Sequence, residues 1–282
     1  MQVFDELKKQ YNDTNFKNRY EAYHNKKYPE IYDVNGLPVH FSSTFKRIGL
    51  SLSGGADSSL LFYILCKLIE ETNSECKILP TTMVRFFDTK PWLEKPAKDV
   101  YAWMKQRFPN IILEHDWGFI PPDLEVVKIK KLGLAHLNKN FPADLMFTDV
   151  LCTITYHNYL MKTKNLEYMY SGTTMNPPEN FDNAPQFRDQ SVLDADGIAN
   201  VVNATSINPF TLVTKDWIMA QYENYNLHDL LTLTRSCEAD TRVLGEMWLT
   251  VDDMQPPQCG QCFFCKERKW GIANMEKYLI AK

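Results

Sequence analysis

The sequence predicts an α/β protein: a parallel sheet with helices on both faces, followed by a small C-terminal region that gathers cysteines. Three observations lead there. From residue 46 onward, short apolar runs alternate with helical patterns, the order that builds parallel sheets from crossover units. Two of those runs end in Ser-Gly turns, within "SLSGGADSS" (residues 51–59) and at Ser171-Gly172. Ligands of parallel sheets bind beyond the carboxyl ends of the strands, where both turns fall. Finally, Cys237, Cys259, Cys262 and Cys265 crowd into the last quarter of the chain.

Each element has its own reason. Residues 1–45 carry many tyrosines and lysines ("NRYEAYHNKKYPEIY") and read as one or two helices plus an irregular connector, an extension packed on the main domain. Residues 48–52 are mostly apolar and read as the first strand. After it, Leu60, Leu61, Ile64, Leu65 and Leu68 recur at helical spacing until Asn73 and Ser74. "CKILPTTMVRF" (76–86) reads as a second strand. Pro96 suits the first turn of a helix whose Val100, Tyr101 and Met104 share a face. "IILEHDW" (111–117) reads as a third strand, residues 124–137 and 143–161 as helices, and "LEYMYSG" (166–172) as a fourth strand.

Composition narrows the class. The 282 residues are 44% hydrophobic and 23% charged, with no low-complexity tract, as in ordinary globular proteins. A formal charge of −4 argues against a broad nucleic-acid face and leaves only a local patch around Lys128, Lys130 and Lys131. No stretch approaches a membrane span, and the first residues, "MQVFDELKKQ", are charged rather than signal-like. Seven cysteines, an odd number, suit a reducing cytoplasm and a metal site better than a disulfide framework.

The first turn is chemically specific. Gly54 and Gly55 permit φ > 0 and leave no side chain between an anion and the backbone. The N–H groups that follow open a helix, so unpaired donors and the positive end of its dipole face one spot. Ser53, Ser58 and Ser59 add hydroxyls. A carboxylate beside phosphates repels them unless a cation lies between, so Asp57 reads as a Mg²⁺ ligand, the alternative being a helix N-cap. The turn has neither the lysine of G-x-x-x-x-G-K-[ST] nor the third glycine of G-x-G-x-x-G.

The C-terminal cysteines form a C-x2-C-x2-C run at Cys259, Cys262 and Cys265, with Cys237 upstream. Four thiolates make a closed tetrahedral Zn²⁺ site, and Gly260 suits the tight turn of such a knuckle. An iron–sulfur cluster is the rival occupant. Cys66, Cys76 and Cys152 read as structural. So do His24, His40, His115, His136, His157 and His228, which are scattered along the chain.

Ser53-Gly54-Gly55-Ala56-Asp57-Ser58 resembles the pyrophosphate loop (PP-loop) of the N-type ATP pyrophosphatases, enzymes that adenylate a substrate and release pyrophosphate. The resemblance implies an adenine nucleotide alpha hydrolase-like, Rossmann-like fold. It also implies an ATP site formed by Leu52, Ser53, Gly54, Gly55, Ala56, Asp57, Ser58 and Ser59, with Ser171 and Gly172. Combined with Cys237, Cys259-Gly260, Cys262, Cys265 and Arg268, the loop resembles the 7-cyano-7-deazaguanine synthase (QueC) family over roughly residues 46–270. "NPFTLVTKDWI" (208–218) resembles that family's proline-led loop before a lysine and a helix. It implies Lys215 as a catalytic cation, with a solvated helix-start lysine as the alternative.

This resemblance divides the chain into an extension (1–45), a nucleotide-binding domain (46–205) and a helical zinc-binding region (206–282). The implied reaction joins 7-carboxy-7-deazaguanine and ammonia through an adenylated intermediate, giving 7-cyano-7-deazaguanine. ATP and Mg²⁺ take part, zinc is structural, and Phe86 and Phe87 are candidates to sandwich the base. A homodimer is the candidate assembly, with no membrane and no stable nucleic-acid partner. Three features depart from the family: the extension, the 21 residues between Cys237 and Cys259, and "TTMNPPENFDNAPQF" after the second Ser-Gly turn. They keep two alternatives open. One is an adenylating enzyme with a changed acceptor, amide-forming or modifying protein or tRNA, for which Cys152 is the candidate thiol. The other is a zinc-bearing regulatory module that only binds ATP, against which Asp57 argues.

Overall fold

The computed structural model describes residues 30–85, 93–120, 146–178, 206–237 and 258–280. The helix expected at 124–137, Phe86, Phe87, the three patch lysines, His24, His136, residues 179–187 and the Cys152 side chain lie outside them.

Five strands form one parallel sheet: β3 (Arg47–Ser51), β4 (Lys77–Arg85), β5 (Asp116–Ile120), β6 (Met169–Tyr170) and β7 (Ser206–Ile207). Their order across the sheet is β5-β4-β3-β6-β7. After β3 comes α1 (Ala56–Glu71), after β4 comes α2 (Glu94–Arg107), and α3 (Met146–Thr163) precedes β6. In the C-terminal part, β7 leads through a short 3-10 turn (Pro209–Leu212) to α4 (Lys215–Asn224), α5 (His228–Leu233) and α6 (Phe263–Asn274).

Strand alternation shows that both faces of the sheet are covered. Ile48, Leu50, Ile78 and Tyr170 lie in the main core with α1, α2 and α4. Their neighbours Leu79 and Met169 join a second cluster with Leu160 of α3. Successive side chains of a strand point to opposite faces, so two cores mean two covered faces. Helix α1 buries Leu60, Leu61, Ile64, Leu65 and Leu68, the residues its spacing marked. Each such side chain stabilises the fold by about 1.5–3 kcal/mol relative to exposure. The helix closes at Thr72, and Asn73 follows in the left-handed region at φ 49°.

Two elements differ from expectation. Residues 30–41 form an antiparallel hairpin, β1 (Glu30–Val34) and β2 (Leu37–Phe41), rather than helix or irregular connector. Its turn is Asn35-Gly36, with φ 51° and 84°, the paired positive angles of a type I′ turn. Leu37, Val39 and Phe41 are fully buried in the main core, so tertiary packing fixes the strand. The third sheet strand is displaced as well. Ile112 makes only an isolated bridge to Ile78, and continuous pairing with β4 begins at Asp116.

Candidate functional site

The strand order places a switch point at β3. From β3 the chain moves outward to β4 on one side, and β6 leads to β7 on the other. Connections diverge from the carboxyl ends of β3 and β6 and leave a crevice there, the usual ligand site of an open α/β sheet. Both Ser-Gly turns meet in that crevice. Gly172 lies so close to the loop that a Cβ on it would stand 2.9 Å from the Asp57 carbonyl carbon and the Ser58 nitrogen.

The loop is held by its own hydroxyls and by its neighbours. Leu52 still belongs to the sheet edge, its N–H donating to the Thr81 carbonyl at 2.8 Å. Ser53 and Ser58 hydroxyls stand 3.0 Å apart, and the Ser53 N–H donates to Ser58 Oγ at 3.2 Å. Ser59 turns its hydroxyl back to the Gly55 carbonyl at 2.8 Å. Gly54 sits at φ +66°, and a Cβ there would meet the Ala97 nitrogen at 2.6 Å. Gly55 caps α1 with no side-chain hydrogen bond, and the first intrahelical bond runs from the Ser59 N–H to the Gly55 carbonyl. The N–H groups of Ala56, Asp57 and Ser58 therefore have no acceptor within the helix, and the dipole adds positive potential. Asp57 is the second residue of the helix and does not cap it. The hydroxyl of buried Tyr222, on α4, donates to the Ala56 carbonyl at 2.7 Å and ties this turn to α4.

Lys215 opens α4 and is only 2% exposed, so it is not a solvated lysine. Its ammonium donates to both Asp57 carboxylate oxygens, at 2.6 and 2.5 Å. Glu267 of α6, fully buried, places Oε2 3.6 Å from the same nitrogen. Residues expected as separate catalytic groups thus form one buried charge cluster beneath the first turn of α1. An ionised carboxylate offers about four lone-pair sites, so Asp57 keeps capacity for a cation while it accepts from Lys215. On the second turn, the Ser171 hydroxyl bonds the Asn208 side-chain carbonyl and its N–H donates to Ile207.

The cysteine centre lies close by. The four sulfurs of Cys237, Cys259, Cys262 and Cys265 lie within 4.8 Å of one another. The Gln261 and Cys262 N–H groups donate to Cys259 Sγ at 3.4 and 3.3 Å, and Gly260, between Cys259 and Gln261, takes φ +70°. Backbone donors around a sulfur stabilise it as thiolate, the form that binds metal. Two thiolates sharing one tetrahedral ion at about 2.3 Å stand about 3.8 Å apart. Cys259 and Cys265 sulfurs are 3.9 Å apart, so the donor set fits a single ion.

Arg235 and Arg268 join the two centres. The Arg235 N–H donates to the Gly54 carbonyl at 2.9 Å, and its side chain faces the sulfur of Cys237. Arg268 holds the preceding loop through Thr234 and Leu231 carbonyls at 3.2 and 3.1 Å. Burial lowers the pKa of both guanidiniums, opposed by the cysteine sulfurs near Arg235 and by Tyr222, Asp57 and Cys265 near Arg268. Sequence reasoning missed Arg235, Glu267 and Asn208. Only the motif position of Arg268 pointed toward this junction.

His115 is linked to the strand end before the loop: the Thr82 hydroxyl that it bonds also donates to the Leu52 carbonyl, at 2.5 Å. His115 bonds Thr82 Oγ1 at 2.8 Å and stacks on Trp117, and burial lowers its pKa to about 4. Burial also lowers His40 and His157 to about 4, so all three are neutral near pH 7. Among the described residues, no helix is long and apolar enough to cross a membrane.

No protein-family model and no curated protein matches the sequence. Solved structures similar to the chain include the U34-tRNA thiolase NcsA from Methanococcus maripaludis with its 4Fe-4S cluster, at 12% identity and TM-score 0.39. A 4-thiouridine synthetase–RNA complex with bound ATP is similar at 14% identity and TM-score 0.40. So is the glutamine-dependent NAD+ synthetase from Acinetobacter baumannii with ADP, at 18% identity and TM-score 0.37. The matches cover 82%, 83% and 85% of this chain, in that order. The chain spans 66%, 52% and 43% of those chains' own lengths.

Proposed function

We propose that the protein is an ATP-dependent adenylating enzyme. It uses the loop at Ser53, Gly54, Gly55, Ala56, Asp57, Ser58 and Ser59 to hold the pyrophosphate that leaves. The observation that carries this reading is the uncapped N-terminus of α1 at the sheet's switch point, closed on its far side by Ser171 and Gly172. We further propose 7-carboxy-7-deazaguanine as the acceptor, ammonia as the second substrate and 7-cyano-7-deazaguanine as the product. This rests on the combined loop and cysteine signatures.

The chemistry requires positioning and charge stabilisation more than a nucleophilic side chain. A carboxylate oxygen of the acid attacks the ATP α-phosphorus. The bond to the bridging oxygen breaks and pyrophosphate leaves with the electron pair. Ammonia adds to the acyl carbon, loses a proton, and AMP departs to leave an amide. The amide oxygen repeats the attack on a second ATP, and loss of AMP and the remaining N–H protons forms the nitrile. The loop N–H groups stabilise the charge that develops on pyrophosphate, and Lys215 offsets the charge of the Asp57 carboxylate beneath them. Mg²⁺, when bound at Asp57, offsets phosphate charge.

In this reading, Cys237, Cys259, Cys262 and Cys265 hold a structural Zn²⁺. The close spacing of all four sulfurs supports one ion, because thiolates on separate irons of a cluster stand farther apart. A changed acceptor remains the second reading. It is motivated by the residues after Gly172, "TTMNPPENF", which do not match the stretch that contacts the base in the resembling family.

Mass spectrometry of a reaction with ATP, Mg²⁺, ammonia and 7-carboxy-7-deazaguanine tests the proposal. The expected products are the nitrile, AMP and pyrophosphate. AMP release with an untouched acid would move the assignment to a changed acceptor. No ATP binding would remove the adenylating reading altogether.

A further inference from the structure

Glu267 has no place in the chemistry above, yet it is fully buried beside the site's lysine. We propose that Glu267 is a positioning residue of the nucleotide site, retaining Lys215 beneath the phosphate loop when Asp57 turns toward the nucleotide's cation. The inference rests on the adenylating reading and goes beyond it.

The geometry supplies the reason. Lys215 is 2% exposed and its ammonium lies between two carboxylates, 2.5 Å from the nearer oxygen of Asp57 and 3.6 Å from Glu267. Removing one partner from a buried ion pair leaves an uncompensated charge, which is strongly unfavourable. If Asp57 alone neutralised Lys215, engaging a cation would strand that lysine or draw it out of place. A second carboxylate, 3.6 Å from the same nitrogen, keeps it compensated throughout.

Helix α6 is built for that task. Glu267 and Gly271 are four residues apart and so share one face. Glu267 faces the lysine head, while Gly271 leaves room for its stem, since a Cβ there would lie 2.7 Å from Lys215 Cγ. The helix is anchored just before Glu267 by the cysteine centre, with Cys262 as its N-cap and Cys265 in its first turn. Arg268, the next residue, pins the same helix to the loop before Cys237. Glu267 therefore sits on a fixed arm, whereas the side chain of Asp57 is 18% exposed.

The test is the gain in ATP affinity produced by Mg²⁺, measured calorimetrically on the full chain, without turnover. For the parent, Mg²⁺ should tighten ATP binding. For Glu267→Gln, the ratio of Kd without Mg²⁺ to Kd with Mg²⁺ should fall by about tenfold, a coupling within the usual range. Glu267→Asp keeps the charge but withdraws it by one carbon–carbon bond, and should give an intermediate ratio. It supplies the comparison if the glutamine variant does not fold. In turnover, both variants should lower kcat more than they raise KM for the acid, since the acid does not touch Glu267. A parent-like ratio in whichever variant folds overturns the proposal while leaving the adenylating reading in place. Failure of the parent to bind ATP overturns both.

Discussion

The phosphate loop and the cysteine centre are joined through Arg235, yet they are held by opposite means. The loop is one contiguous stretch whose backbone, in the proposed reading, meets the ligand, and it is braced by the main core through Leu52, Ala56 and Tyr222. Among the described residues, the cysteine centre clusters only with itself: Cys237 and Cys265 are buried, with Cys259 and Cys262 packed against them. In the proposed reading, a bound ion supplies stability that this small cluster does not supply itself. The contrast teaches which changes each region tolerates. The loop should survive loss of the metal longer than the centre does, and the centre should be indifferent to small steric changes at the loop.

The largest expected effect breaks the cysteine side. In the proposed zinc reading, Cys265→Ser should abolish metal binding and release the order of α6, because structural zinc contributes about 10 kcal/mol or more to such sites at pH 7. Metal analysis and limited proteolysis check it; full metal content in the variant would contradict the assignment. Next comes the shared charge cluster. Lys215→Met leaves Asp57 and Glu267 facing each other without their cation and should cost about 3–5 kcal/mol, read from urea unfolding. A variant as stable as the parent would mean that the cluster is not a buried ion pair in solution.

A pH titration perturbs the scaffold of the loop through its buried histidines. His40 on β2 has its pKa lowered by burial to about 4, and its carbonyl accepts the hydroxyl of Tyr170 on β6. Its folded pKa lies below the ordinary value of about 6.5, so the unfolded chain binds more protons between the two. The stability that neutral His40 allows is thus fully present above about pH 6.5 and lost as pH falls toward 4, by about 3 kcal/mol. His40→Gln should reduce the slope of that part of the urea-midpoint profile, leaving the shares of His115 and His157, and an unchanged slope would contradict it. The smallest effect is steric. Gly172→Ala forces the Asp57–Ser58 backbone to move, costing about 1–3 kcal/mol and weakening ATP binding while metal content stays intact. Parent-like ATP affinity would separate the second Ser-Gly turn from the site.

Local chemistry was legible where neighbours in the chain do the work. The helical spacing of Leu60, Leu61, Ile64, Leu65 and Leu68, the break at Asn73 and the Ser-Gly loop all depend on contacts within a turn or two, which a linear pattern records. The cysteine spacing was equally readable, because a C-x2-C-x2-C run must fold back on itself to share an ion. The hairpin was readable too, through Asn35-Gly36 between alternating apolar residues, but the tyrosines and lysines just upstream obscured it. The start of β5 was not. Residues 111–115 are apolar enough for a strand, yet only pairing with β4 decides where the ladder continues.

By itself, the sequence determined a Ser-Gly turn opening a helix, a parallel α/β order and a cluster of four cysteines able to hold a metal, since each follows from residue type at short spacing. The tertiary structure alone decided that Asp57 and Lys215, 158 residues apart, form one buried pair with Glu267 alongside. It alone also decided that Arg235 ties the cysteine centre to Gly54. Charge pairing of that kind depends on which helix faces pack together, and burial gives it consequence: in water the same ions would be screened and free to separate.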